Sequence, residues 1–123
     1  MNIVFSYKHN MLQIALFPER DDYYRSVETL QCKASPSDIQ VITSMLKSAR
    51  VEILDSYEGW EIGTEEHDRK ERAFKSGMWS VHTSYGWVFL THRHRVIHFY
   101  MSGQSLTLNI SNLEYIIKQM ERV

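Results

Sequence analysis

The sequence predicts an α+β protein: a single antiparallel β-sheet of about six to seven strands packed by two helices, in the order βββα(β)ββββα. Three observations carry this expectation. The stretch from Trp79 to Ile110, WSVHTSYGWVFLTHRHRVIHFYMSGQSLTLNI, alternates apolar and polar residues between short turn signals. Two further stretches, opening at Ser35 and Ser111, place apolar residues at helical spacing behind capping residues. The first 34 residues hold three more strand-like runs. A chain of 123 residues suffices for one buried core but not two, so residues 1–123 are expected to form a single domain.

From Asn2 to Phe17 the runs IVFSY and MLQIALF flank Lys8, His9 and Asn10. Asn accepts positive φ, so a β-hairpin follows, and Pro18 ends its second strand because it has no N–H for a ladder. ERDDYYRS is a polar connection. Val27 to Ala34 forms a third strand, with Leu30, Cys32 and Ala34 on one side and Thr29, Gln31 and Lys33 on the other. Ser35-Pro36-Ser37-Asp38 then opens a helix: Ser35 suits the N-cap, Pro36 the first helical position, and Asp38 the positive end of the helix dipole. Its apolar stripe is Ile39, Ile42, Met45, Leu46 and Ala49, and Lys47 and Arg50 fall in the expected last turn. Val51 to Leu54 reads as a short strand. Asp55 to Gly77 is the stretch with least pattern, containing Gly59, Gly63, Trp60, Ile62 and the charge run EEHDRKER. Within that run, Glu65 with Arg69 and Asp68 with Arg72 are spaced for weak i,i+4 pairs. At Ser111 the pattern S-N-L-E predicts a capping box with Glu114, and Leu113, Ile116, Ile117 and Met120 form the stripe of the closing helix. No internal repeat is visible.

Between Trp79 and Ile110 the turns are expected at Tyr85-Gly86, His92-Arg93 and Ser102-Gly103. Two-residue loops there set Thr83 opposite Val88, Leu90 opposite Arg95, Val88 opposite Ile97 and Phe99 opposite Leu106. One face then collects Trp79, Val81, Val88, Leu90, Ile97, Phe99, Met101, Leu106, Leu108 and Ile110, with Arg95 its one charged member. The other collects His82, Trp87, Phe89, Thr91, His94, Val96, His98, Tyr100, Thr107 and Asn109. The first is the core face. The second is too polar for a primary core and too aromatic for an idle one, so it is either covered by a second layer or used for recognition.

Several function classes lose support from composition alone. A net charge of −1 gives no global attraction to nucleic acid or anionic membrane. No apolar run approaches the length of a membrane span, and MNIVFSYKHN lacks a signal-peptide pattern, so a soluble, cytoplasmic protein is expected. The single cysteine, Cys32, cannot form an internal disulfide and reads as a buried structural thiol. Phosphate-binding, nucleophile-elbow and zinc-protease motifs are missing, and no cofactor is implied. The acidic pairs and triplets at Asp21-Asp22 and Glu65-Glu66-Asp68 read as solvated, so an enzyme is not expected. Six histidines raise the question of metal, but in the expected register no three converge, and no metal site is predicted.

The remaining reading is a small non-enzymatic protein-binding module, an inhibitor or immunity-type protein that neutralises a toxin or host enzyme by occluding it. Its general shape is similar to that of many small bacterial and phage inhibitor proteins, a likeness at the level of fold class only. The expected contact residues are Trp87, Phe89, Arg93, His94, Arg95, His98 and Tyr100. A homodimer through the same face is a variant of this reading. The alternative is nucleic-acid binding through the turn from His92 to Arg95 and its neighbouring aromatics, for which two arginines are few.

Overall fold

A computed structural model describes residues 2–18, 26–55, 77–93 and 96–123. The described elements, in chain order, are β1 (Ile3–Lys8), β2 (Met11–Leu16), β3 (Glu28–Lys33), α1 (Pro36–Asp55), β4 (Gly77–Thr83), β5 (Gly86–Arg93), β6 (Val96–Met101), β7 (Gln104–Leu108) and α2 (Ile110–Glu121). The expected pairs Glu65/Arg69 and Asp68/Arg72, the residues Trp60 and Ile62, and the acidic groups at Asp21-Asp22 and Glu65-Glu66-Asp68 lie outside the described residues.

The expected single sheet is overturned: the strands form two antiparallel sheets, β1-β2-β3 and β4-β5-β6-β7. Their inner edges, β3 and β7, lie side by side, yet side chains take the place of a ladder. Gln104 accepts from the Gln31 N–H through Oε1 at 2.7 Å and donates to the Gln31 carbonyl through Nε2 at 2.8 Å. Glu28 accepts from the Thr107 N–H at 2.9 Å and from the Thr107 hydroxyl at 2.9 Å. An amide or carboxylate thus supplies what a neighbouring peptide would have supplied, and the Gln31 N–H and carbonyl and the Thr107 N–H are satisfied without backbone pairing. The residue numbers rise along β3 as they fall along β7, so the two edges run antiparallel across this seam.

Both helices lie against the same layer, α1 in contact with β4 and β5, and α2 with β1 and β7. Buried side chains from both sheets and both helices form one cluster that includes Leu12, Leu30, Ile42, Leu46, Leu90, Phe99, Leu106 and Ile116. Every member of the expected stripes is buried: Ile39, Ile42, Met45, Leu46 and Ala49 on α1, and Leu113, Ile116, Ile117 and Met120 on α2. The expected strand at Val51 to Leu54 is instead the end of α1. The run VEIL looks strand-like in isolation, but Ile53 stands four residues beyond Ala49 and continues the buried stripe. Lys47 and Arg50 consequently fall short of the last turn.

Capping follows expectation at one helix and departs from it at the other. Asp38 N–H donates to Ser35 Oγ at 3.1 Å while the Asp38 carboxylate accepts from the Ser35 N–H at 2.9 Å, a reciprocal box. At α2 the cap is Asn109, whose Oδ1 accepts from the Asn112 N–H at 2.8 Å, rather than Ser111 with Glu114. Asn is at least as good a cap as Ser, and starting two residues earlier turns Ile110 from a strand residue into the first helical one, half-buried against the core.

Two of the three expected turns in the second sheet are displaced. Thr83 stands opposite Gly86, so the first turn is Ser84-Tyr85, closed by Thr83 Oγ1 donating to the Gly86 carbonyl at 2.7 Å. Gly86 has φ +124°, which only glycine adopts without strain, and that fixes it just after the turn. His92 and Arg93 belong to β5, with Arg93 opposite Val96. The expected pairs Thr83–Val88, Leu90–Arg95 and Val88–Ile97 are replaced by Val81–Val88, Leu90–Phe99 and Val88–Met101, whereas Phe99–Leu106 stands. The Ser102-Gly103 turn forms as expected, as does the hairpin at His9-Asn10, both of whose residues have positive φ.

Cys32 is buried, with Sγ 3.7 Å from Met101 Sδ, and burial pushes its thiol up to about 11. The native protein should therefore resist thiol reagents at mildly alkaline pH and react fully once denatured. Ready labelling of the folded chain would contradict this placement.

Candidate functional site

The faces of the second sheet are those read from alternation. Val88, Leu90, Ile97, Phe99, Met101, Leu106 and Leu108 are buried toward the helices, and Trp79 and Val81 pack at the margin of the same layer. His92, expected in a turn, is buried on this face opposite Ile97. The opposite face carries four cross-strand rows: His82 with Trp87; Ser80, Phe89, Tyr100 and Ser105; Met78, Thr91, His98 and Thr107; and Arg93 with Val96.

On this open face Trp87 is 56% exposed and Tyr100 37%, with Phe89 and His98 half-buried between them. His82 meets the Trp87 ring edge to face at 5.0 Å, and Trp87 stacks on Phe89 at 6.3 Å. His98 stacks on Tyr100 at 5.9 Å. Phe89 and Tyr100 are directly opposite across β5 and β6, so the two stacks join into one aromatic patch. Met78, 64% exposed, and Val96, 38% exposed, extend its apolar surface. Rings in contact along and across the strands restrict one another, which lowers the ordering cost of burying them against a partner.

Of the expected contact residues, Trp87, Phe89, His98 and Tyr100 come together here. Arg93 is exposed on the same face of β5, about 13 Å along the strand from Phe89. His94 and Arg95 lie outside the described residues. Met78 escaped the sequence reading because β4 begins at Gly77, two residues before the expected start, and Ser80, inside the expected stretch, was not assigned to a face. Carrying the alternation back from His82 finds both.

Charge is unevenly placed. Among the described residues, Asp38, Glu52, Asp55, Glu114 and Glu121 all belong to the helices, and Glu28 is engaged in the seam. The open faces of the two sheets carry Lys8, Lys33 and Arg93 by strand parity. The surface is thus aromatic and cationic although the chain as a whole is slightly acidic.

Among the described residues no three of His, Cys, Asp and Glu are grouped as a metal ion requires, and no helix is long and apolar enough to cross a membrane. Comparison of the chain with protein-family models, with curated proteins and with solved structures finds no match.

Proposed function

We propose that this protein is a binding module for a protein partner, engaged through the open face of β4, β5 and β6. The observation that carries the reading is the patch of Trp87, Phe89, His98 and Tyr100 on the open face of the sheet, where the described carboxylate in contact, that of Glu28, is held by Thr107 at the seam. Aromatic side chains at the centre of a patch supply most interface energy, and cations at its rim select partners by charge. The complementary surface is apolar at its centre and acidic at its margin. A partner held against this face has the area it buries occluded, so an inhibitor or neutralising protein is the functional form it fits.

The test is capture from extract of the source cell by the wild type beside a Trp87→Ala/Tyr100→Ala double variant. Both residues lie on the open face outside the core, so circular dichroism should show a folded variant, with a modest drop in urea midpoint from the lost ring contacts. A stoichiometric protein retained by wild type should bind the double variant roughly 100-fold or more weakly. Retention of nucleic acid in place of protein, released steeply by rising salt, would overturn the reading in favour of phosphate recognition. Equal retention of the same protein by both forms would remove this face from consideration.

A further inference from the structure

We infer that Gln104 and Glu28 form a double clasp that holds the two sheets apart. β3 and β7 stand in ladder register, and these two side chains fill the seam that backbone pairing would otherwise close. The inference does not rest on the binding reading.

The register can be read from each side of the seam. Gln31 turns both its N–H and its carbonyl toward β7, and Thr107 turns its N–H toward β3. Peptide groups alternate in direction along an antiparallel strand, so Thr29 and Ser105 face the seam as well. The hairpins agree. Lys8 with Met11, and Met101 with Gln104, close two-residue turns, and alternation counted from those closing pairs directs the odd-numbered residues of β3 and β7 toward each other. A direct ladder would therefore pair Gln31 with Ser105 and Thr29 with Thr107. All four belong to the open face, and Leu30 and Leu106, which would stand opposite each other between them, are buried at 1% and 0%.

Two positions spoil this match. By the same parity Glu28 and Gln104 point inward, where a ladder would set Gln104 opposite Cys32 and Glu28 opposite Leu108, both buried. A carboxylate or an amide is costly to bury without partners, and each turns into the seam instead. Each is the first residue of its strand, and each bonds the peptide that its own successor would have paired. Gln104 takes Gln31 in place of Ser105, and Glu28 takes Thr107 in place of Thr29. The clasps thus stand at opposite ends of the seam, related as by a two-fold axis. Ser105 and Thr107 also end the cross-strand rows of Tyr100 and His98, so the clasps set where the first sheet lies beside the aromatic patch.

Nuclear magnetic resonance of the full chain tests this, with Glu28→Val and Gln104→Val made singly and together. In the double variant the amides of Thr29 and Ser105 should exchange about tenfold or more slowly than in wild type, as ladder bonds form across the seam. Close Hα contact of Leu30 with Leu106, the mark of a non-hydrogen-bonded pair, should appear with them. Ladder bonds replace the clasp bonds and two apolar side chains join the core, so the urea midpoint should match or exceed that of wild type. Each single variant should close its own end, and Glu28→Gln, which keeps an acceptor, should leave the seam as it is. If the Gln31 and Thr107 amides lose protection while Thr29 and Ser105 gain none, the clasps only satisfy edges parted for another reason, and the inference fails. A double variant that is unfolded or melts at clearly lower urea, or a wild type that already shows the Leu30–Leu106 contact, would overturn it as well.

Discussion

Replacing Asp38 with Ala is expected to cost about 3 kcal/mol of folding stability, a large effect for one side chain near the end of a helix. Its carboxylate is buried and joins two parts of the fold far apart in sequence. One oxygen accepts from the Ser35 N–H at 2.9 Å, closing the cap of α1. The other accepts from the Ser84 N–H and the Ser84 hydroxyl, both at 3.0 Å, fixing the turn between β4 and β5 to the helix. Hydrogen bonds to a charged acceptor contribute roughly 1.5–3 kcal/mol each, but they share one group and do not add. Asp38→Asn should retain part of the stability, since Asn keeps one acceptor oxygen. Burial pulls the Asp38 carboxyl upward, yet the hydrogen bonds from Ser84 and Ser35 outweigh it and hold the group below the usual aspartate value. The sign of the pH dependence follows: this contribution is complete above the unfolded value of about 3.9 and is lost as pH falls through the lower folded value. Urea midpoints measured from neutral pH down to strong acid should therefore show wild type losing its advantage over Asp38→Asn only in the acid range. A constant difference across that range would refute the assignment.

Truncation before Ser111 is expected to abolish cooperative folding. It removes Leu113, Ile116, Ile117 and Met120, which are at most 2% exposed, together with the half-buried Tyr115. Burial of the four contributes roughly 6–12 kcal/mol on area grounds, comparable to the 5–15 kcal/mol total stability of an ordinary domain. The loss falls on both sheets, because α2 contacts β1 in one and β7 in the other, and it also packs on α1. The truncated chain should lack a urea transition and should show rapid amide exchange throughout. Ile117→Ala offers a milder comparison, expected to cost about 2–5 kcal/mol while leaving a two-state transition. A truncated chain that still melted cooperatively would mean that the two sheets and α1 hold a core without α2.

The sequence by itself determined which way the apolar and aromatic residues it named in the second sheet point, and this proved robust to errors of register. Moving the first turn from Tyr85-Gly86 to Ser84-Tyr85 changes the partner of Thr83 by two residues, and moving the next changes the partner of Val88 by four. Both displacements are even, and side chains repeat every second residue, so Trp87, Phe89, His98 and Tyr100 stay on the open face in either register. The buried stripes of both helices were legible for the same reason, a period written in the chain itself. What tertiary structure alone decided are matters of long-range partnership. Nothing near Glu28 or Gln104 announces that each will bond across a seam to a strand more than seventy residues away, dividing the expected single sheet in two. The same holds for Asp38 and its bonds to Ser84: the sequence shows a helix cap, and only the folded chain brings the turn to it. Local period sets the face, because it depends on neighbours in the chain; the seam and the capped turn depend on groups that meet only after the core has closed.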